Sequence, residues 1–314
     1  MNTFLRALCG AAVALLAVAS WAADAPAQLR IGYQKASLSL VLAKEHGLLE
    51  KRFPQTQIQW IEFPAGPQML EALNIGSLDL ASTGDIPPIF AQAAGADLLY
   101  VGVEPPKPQA ETVLVPSAST IHSIADLKGK RVAFQKGSSS HNLLLRLLQR
   151  EGMSLADIQP LYLTPADARA AFAAGQIDAW AIWDPWYSAL TLDGQARLLA
   201  NGEGLGLSGP FYLSTRGFAK QWPQVIDQAL AVFNQAEALT RSDEAGSVAI
   251  MARITGLSQA VIAETFRHRP PSPITPVDAP ALAAQQRTAD LFRSVGILPR
   301  TVNVADATWQ RSAP

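Results

Sequence analysis

Cysteine is all but missing from this chain. The single copy, Cys9, lies in an N-terminal stretch that reads as a secretory leader: Arg6 supplies the positive start, residues 7–19 an apolar run, and Ser20-Trp21-Ala22 the cleavage region. A mature chain cut there has no thiol, which excludes disulfides and thiolate chemistry. Cys9 also precedes the bulk of the apolar run, where a lipid-attachment cysteine would follow it. Histidine is scarce too, and His46, His122, His141 and His268 show no pairing at metal-ligand spacing, no HExxH and no cysteine pair beside them. A GxSxG elbow and a GxxxxGK[ST] loop are both absent, and Gly202-Glu-Gly-Leu-Gly-Leu precedes no helix of the kind a dinucleotide site needs. These absences leave no catalytic residues, no metal site and no cofactor, and favour binding over catalysis. Charge of either sign is not in excess. Without Arg6 the chain carries 24 Lys and Arg against 26 Asp and Glu, so composition points to neither nucleic acid nor a membrane surface. After the leader no apolar run is long enough to span a bilayer, and there are no solenoid-period repeats or low-complexity tracts.

Beyond the leader, β-rich runs alternate with helical periodicity, as an α/β fold with mainly parallel sheet requires. The pattern predicts strands at 29–34, 57–63, 78–83 and 98–103, with helices at 38–53, from 66 through Ile75, and at 85–94. Glu104-Pro-Pro-Lys-Pro-Gln109 continues neither kind of element, because three prolines remove donors and fix φ. It reads as a crossover into a second unit. That unit has strands at 112–115, 131–135, 158–163, 177–183 and 197–200, and helices from 138, at 165–174 and from 184. Asn201-Gly-Glu-Gly-Leu-Gly206 reads as a crossover back. A strand at 211–215 then leads into helices at 223–239, 243–254, 258–268 and 279–295, which need a sheet face to cover. This order implies two α/β lobes joined by two strands with a ligand cleft between them. The expected division is a leader at 1–22, one lobe from 23–107 with 208–314, and an inserted lobe at 108–207.

In such sheets ligands bind beyond the carboxyl ends of the strands. Four turns there carry suitable residues: Gln34-Lys-Ala-Ser37, Ser82-Thr-Gly-Asp85, Lys136-Gly-Ser-Ser-Ser140 and Trp183-Asp-Pro-Trp186. The third is the strongest. A helix start has N–H groups without intrahelical partners and partial positive charge, and the serines add neutral donors. Structural readings compete at each turn: Ser138 as an ordinary N-cap, Asp85 and Asp184 as N-caps, Lys136 as a solvated cation, His141 as a surface or capping residue. Trp180 and Trp183 point to opposite faces of one strand; Trp180 is taken for the core and Trp183, at the strand end, for the cleft.

At these turns the sequence resembles the periplasmic aliphatic sulfonate-binding proteins of ABC importers, with taurine- and nitrate-binding proteins as wider relatives. The carriers are Ile31-Gly-Tyr-Gln34, Thr83-Gly-Asp-Ile-Pro-Pro88, Asp126-Leu-Lys-Gly-Lys-Arg-Val-Ala-Phe-Gln-Lys-Gly-Ser138 and Gly175-Gln-Ile-Asp-Ala-Trp-Ala-Ile-Trp-Asp-Pro-Trp186. The resemblance implies the bilobal type II periplasmic-binding-protein fold. It also implies capture of a small organic sulfonate in the periplasm by a monomer, and delivery to a membrane permease and its ATPase for sulfur acquisition. Carried onto matching positions, it suggests Gln34, Gly84, Asp85, Gly137, Ser138, Ser139 and Trp183 as pocket residues, with Asp184 and Ser214 beside them. A sulfonate offers only acceptors, so an array of N–H and O–H donors satisfies it and no lysine or arginine need enter the pocket. Taurine- or nitrate-type anion binding is the alternative. A thiamine-pyrimidine-related protein on the same fold is another, disfavoured because those relatives are expected to use a cysteine.

Overall fold

The computed structural model describes residues 25–310; the leader at 1–22 lies outside the described residues. In chain order the elements are β1 (Gln28–Tyr33), α1 (Leu38–Glu45), α2 (Leu48–Arg52), β2 (Gln57–Glu62), α3 (Gly66–Asn74), β3 (Leu80–Thr83), α4 (Ile86–Ala93) and β4 (Leu99–Val103). Next come β5 (Glu111–Pro116), β6 (Arg131–Phe134), α5 (Ser139–Arg150), β7 (Gln159–Tyr162), α6 (Pro165–Ala173), β8 (Ala179–Trp183), α7 (Trp186–Leu192) and β9 (Ala196–Asn201). The chain ends with β10 (Phe211–Ser214), α8 (Arg216–Gln221), α9 (Pro223–Ser242), α10 (Glu244–Thr255), α11 (Gln259–Arg267) and α12 (Ala279–Ser294).

Two five-stranded sheets result, ordered β2-β1-β3-β10-β4 and β7-β6-β8-β5-β9. The lobes are therefore built alike. In each, four strands run in one direction and the strand that arrives from the other lobe, β10 or β5, is inserted antiparallel between two of them. The sheets are thus mixed where a mainly parallel arrangement was expected. Both crossovers run directly into the middle of a sheet, which anchors their ends.

The likeness extends to side chains. The Arg30 backbone N–H and Nε donate to Asp79 Oδ2 at 2.7 and 3.0 Å, and Arg131 does the same to Asp178 Oδ2 at 2.8 and 3.1 Å. The guanidinium groups reach on to the Gly76 and Gly175 carbonyls. Each pair staples the start of the first parallel strand to the start of the second. Six residues beyond each of these acids stand Asp85 and Asp184, at the opposite end of the strand and on the cleft.

Apolar burial explains the layers. One face of the first sheet packs Leu29, Ile31 and Tyr212 against α1, α9, α10 and α11; the other packs Tyr100 and Phe211 against α3, α4 and α12. The C-terminal helices thus cover the first lobe on both faces, as their sequence position required. In the second lobe α5 buries Leu143, Leu144, Leu147 and Leu148 on one sheet face, while Trp180 and Phe172 fill the other. The single helix expected at 38–53 is broken: Gly47 takes φ +58° between α1 and α2, a conformation that costs glycine little. Helix α8 was not foreseen; its six residues are too few for a periodic signal, and Thr215 Oγ1 caps it by accepting from the Phe218 N–H. Among the described residues no single helix is long and apolar enough to cross a membrane.

The crossovers touch. Glu104 N–H donates to the Pro210 carbonyl at 3.0 Å and Gly202 N–H to the Pro108 carbonyl at 2.8 Å. Gly209 makes the first contact possible, since a Cβ there would lie 1.6 Å from the Glu104 carbonyl oxygen. Backbone against backbone cannot yield as a side chain can. Gly209→Ala is therefore expected to lower unfolding stability by roughly 2–4 kcal/mol. Gly217→Ala, with nothing near its would-be Cβ, is expected to be neutral or to stabilise by up to ~1 kcal/mol; denaturant unfolding of both variants tests the contrast.

Candidate functional site

The four strand-to-helix turns singled out in the sequence meet at one cavity. It is lined by Gln34 and Ser37 from the first, Thr83 and Gly84 from the second, Ser138 and Ser139 from the third, and Trp183, Asp184 and Pro185 from the fourth. The lobes are closed upon it: a Cβ at Gly84 would meet Ser139 Cβ at 3.2 Å. Hydrogen bonds cross between lobes beside that contact. Asn142 Nδ2 donates to Asp85 Oδ2 at 2.6 Å and Arg146 to Thr288 Oγ1 at 2.9 Å; within α5, Arg146 also donates to Asn142 Oδ1 at 2.9 Å and so orients its amide.

The donors facing the cavity come chiefly from α5. Gly137, at φ +75°, turns the chain from β6 into the helix. Ser138 stands at the N-cap but does not cap: its N–H and hydroxyl both donate to the Gln135 carbonyl, at 3.3 and 2.7 Å, and its oxygen pairs with Ser140 Oγ at 2.8 Å. The start of α5 is therefore available to a ligand anion. Helix α4 contributes less, because Pro87 and Pro88 in its first turn carry no N–H. Its share is made up by the Thr83 hydroxyl, which lines the cavity, is buried, and has no hydrogen-bond partner among the described residues. Gly66 gives that hydroxyl room, since a Cβ at 66 would stand 1.9 Å from it.

Three of the sequence candidates stand back from the cavity wall. Asp85 turns its carboxylate toward Asn142, and burial raises its pKa, so it acts in lobe closure and not as the N-cap considered above. Gly137 lines a separate groove beside α3 and α4. Ser214 is buried in β10 with its hydroxyl donating to the Asp79 carbonyl at 2.8 Å. Asp184 remains at the cavity, where its Oδ1 accepts from the Ser188 N–H and hydroxyl at 3.0 and 2.6 Å. Its other oxygen lies 2.7 Å from His268 Nδ1, contributed by the first lobe. Trp180 is in the core and Trp183 is half-buried on the cavity wall. Trp183 also borders an outer groove formed with Phe63, Arg169, Trp186 and Leu257.

His141 is neither a surface nor a capping residue. It is buried between Phe134 and Phe292, and its Nδ1 accepts the Gly137 N–H. Burial, and then Lys136, push its pKa down to about 4, so it is neutral throughout the physiological range and orients the turn.

The cavity also holds charges that the sequence reading passed over. Glu104, Lys107 and Glu111 from the first crossover and Arg269 from the loop after α11 all line it. Lysine and arginine do enter the cleft, then, but as half of a buried network. Lys107 pairs with Glu104, Arg269 bridges Glu104 and Glu237 at 3.7 and 3.5 Å, and the Tyr212 hydroxyl donates to Glu104 at 2.7 Å. Burial pushes the Glu104 carboxyl up, and Lys107 and Arg269 more than offset it. Acidic and basic residues three apart in a proline-rich segment were the available signal, masked by the segment's role as a linker.

Two mixed α/β lobes closed over a cavity of helix-start and hydroxyl donors define the bilobal type II fold of the periplasmic-binding-protein class. The chain belongs to the NMT1/THI5-like family, whose profile matches residues 56–244. The alkanesulfonate-binding protein SsuA of Xanthomonas axonopodis pv. citri, in a structure bound to MOPS, is 65 % identical at a TM-score of 0.89, over 90 % of this chain and 98 % of that one. The crystal structure of the periplasmic aliphatic sulphonate binding protein SsuA of Escherichia coli is 59 % identical at a TM-score of 0.86, over 92 % and 94 % of the two chains. Sequence alignment with the Escherichia coli (strain K12) protein gives 58 % identity over 299 residues, 94 % of each. These relatives are binding proteins, and so is this chain.

The histidines report the electrostatics directly. Burial lowers the His268 pKa, but Asp184 and then Glu264 outweigh it and leave the net shift upward. Its bridge across the lobes is therefore fully charge-assisted below the unperturbed value and is lost as pH rises through the raised one. NMR titration is expected to place His268 above about 6.5, to return it toward that value in Asp184→Asn, and to show no His141 titration until about pH 4.

Proposed function

We propose that this protein captures aliphatic sulfonates in the cleft and delivers them, from the periplasm and as a monomer, to the permease and ATPase of an ABC importer for sulfur acquisition. The observation that carries the reading is the open start of α5 facing the buried, unpartnered Thr83 hydroxyl across a cavity whose cations are already neutralised. Such a site supplies donors without net positive charge. A sulfonate, ionised at every physiological pH and able only to accept, matches it, and release to a permease is easier from neutral donors than from an ion pair.

In this reading the Gln34 amide, the Gly84 N–H and the Ser139 N–H and hydroxyl hold the head group. Trp183 carries the organic tail toward the outer groove, where each buried methylene adds on the order of 0.8 kcal/mol. Asp85, Gly137 and Ser138 act one step back, by holding the lobes and the turn in place. Lobe boundaries near 107/108 and 207/208 fit the two contacting crossovers. The relatives bound or named for sulfonates support the ligand class, and their periplasmic setting supports the location.

The test is tryptophan fluorescence of refolded, ligand-free mature protein in phosphate or Tris, since sulfonate buffers are themselves candidate ligands. Saturable change with alkanesulfonates, tightening with tail length until the groove is full, is expected; a response confined to taurine, nitrate or a pyrimidine would overturn the reading. Ser139→Ala is expected to weaken alkanesulfonate binding by about 1.5–3 kcal/mol, the worth of a hydrogen bond to a charged group. Ser138→Ala is expected to cost less, because its hydroxyl is committed to Gln135.

A further inference from the structure

One contact between the lobes includes a group that titrates near neutrality. His268 ends α11 in the first lobe, and its Nδ1 lies 2.7 Å from Asp184 Oδ2 on the fourth turn, in the second. The carboxylate is set for this contact by its own lobe: the Ser188 N–H and hydroxyl hold Oδ1, which leaves Oδ2 facing α11. Tyr187 of α7 stacks on the imidazole with ring centroids 4.6 Å apart. On the first lobe's side Nε2 faces Glu264 Oε1 at 3.5 Å, one turn back along α11. The His268 side chain is 15 % exposed and that of Asp184 4 %, so water screens the pair little. Both ends of the contact adjoin the cleft. Asp184 follows Trp183 on the cavity wall, and Arg269, next to His268, lines the same cavity.

A neutral imidazole has one N–H and serves one of these two acids; the imidazolium has two and serves both. The partial negative charge at the C-terminus of α11 favours the charged form too. Glu264 and the helix end act on His268 whether the cleft is open or closed, since they belong to its own helix. Asp184 and Tyr187 act only when the lobes meet. We propose that His268 is a positioning residue for cleft closure: as the imidazolium it latches the first lobe to Asp184 of the second, so that capturing a ligand takes up a proton and tightens in acid. The inference goes beyond the sulfonate reading and takes its probe ligand from it.

Closure brings a carboxylate, which favours the imidazolium, and buries the ring, which disfavours it. Burial is the largest influence on His268 in the closed protein, but the hydrogen bond and charge of Asp184, and then Glu264, outweigh it, with Arg267 weakly opposed, and the net is upward. Arg269 is turned away to Glu104 and Glu237. Affinity is therefore greatest below the open-cleft pKa of His268. It falls to a lower plateau as pH rises through the closed-cleft value, which lies above about 6.5. The plateaus differ tenfold for each pH unit between those two values. A carboxylate gained at 2.7 Å, partly offset by burial, gives about three- to tenfold. The sulfonate does not titrate and adds no slope of its own.

Two measurements on the mature protein test the latch. Affinity for hexanesulfonate, read from about pH 6 to 9 in phosphate and Tris with circular dichroism to show that the fold persists, is expected to fall about three- to tenfold across the range. In His268→Gln, whose amide can donate to Asp184 but cannot take up a proton, the fall is expected to disappear, with wild-type affinity retained at the alkaline end. The other ionisable groups, buried Asp85 and Lys107 among them, are common to both proteins, so the difference between the profiles isolates His268. Histidine NMR of the wild type is expected to give His268 a higher pKa when saturated with hexanesulfonate than when ligand-free, by the logarithm of the affinity ratio. This comparison holds even if the variant fails to fold. A merely structural contact would weaken binding in the variant equally at every pH and leave the two NMR titrations alike. That result, a flat wild-type profile, or a fall unchanged in His268→Gln would overturn the latch and leave the sulfonate reading standing. No hexanesulfonate binding at the acid end would overturn the sulfonate reading, and this inference with it.

Discussion

The site depends on how closely the start of α5 comes to the turn after β3. Gly84 and Ser139 approach to a distance at which even a methyl group on residue 84 would press on the serine. That approach brings the helix start of one lobe against the loop of the other, and it excludes water from between them. A helix start in water is a weak anion site, because its partial charge is screened; enclosed between two lobes it is worth several times more. Small residues at the turns are therefore part of the binding apparatus. So are the contacts that hold the approach: Asn142 on Asp85, Arg146 on Thr288, and His268 on Asp184.

Enclosure has an electrostatic cost, and the protein meets it by pairing. Glu104, Lys107, Arg269 and Glu237 are buried where the crossovers leave the first sheet, and each has an opposite partner. Isolated, any of them would be strongly disfavoured; together they join the crossover to the C-terminal helices and leave little net charge for a ligand to feel. Asp85 and Glu111 meet the cost differently. Burial raises both, so each carries a proton more readily than an exposed acid.

The likeness of the two lobes gives the cleft its symmetry. The same Arg–Asp staple begins each pair of parallel strands, and each pair ends in an aspartate on the cleft. Asp85 and Asp184 are thus equivalent by position but differ in partner, since one receives an amide from the opposite lobe and the other meets an imidazole from it. Both hold the lobes together by accepting from across the gap.

Alternation of apolar runs and helical periodicity determined the element order, the two crossovers and the four turns, because these follow from local spacing and from what proline and glycine permit. Strand alternation put Trp180 and Trp183 on opposite faces, and the place of Trp183 at the strand end assigned it to the cleft. The break at Gly47 was not legible, since the apolar run continues across it and an isolated glycine within a helical pattern does not by itself end the helix. The direction of β5 and β10 was not legible either, because it is set by where a returning chain finds an open place in a sheet. Side-chain roles were the least legible. Ser138 beside Ser139, or Asp85 beside Gly84, read alike in the sequence, and only packing across the cleft decided which faces the cavity and which turns back to Gln135 or Asn142. Glu111, Lys107 and Arg269 lie far from any motif; only the tertiary structure brought them to one cleft, where Lys107 and Arg269 share Glu104 as partner. The sequence by itself thus settled where a ligand can approach, because strand ends and helix starts are local features. The fold decided which donors meet it, because charge, hydrogen-bond direction and exclusion of water belong to no single segment.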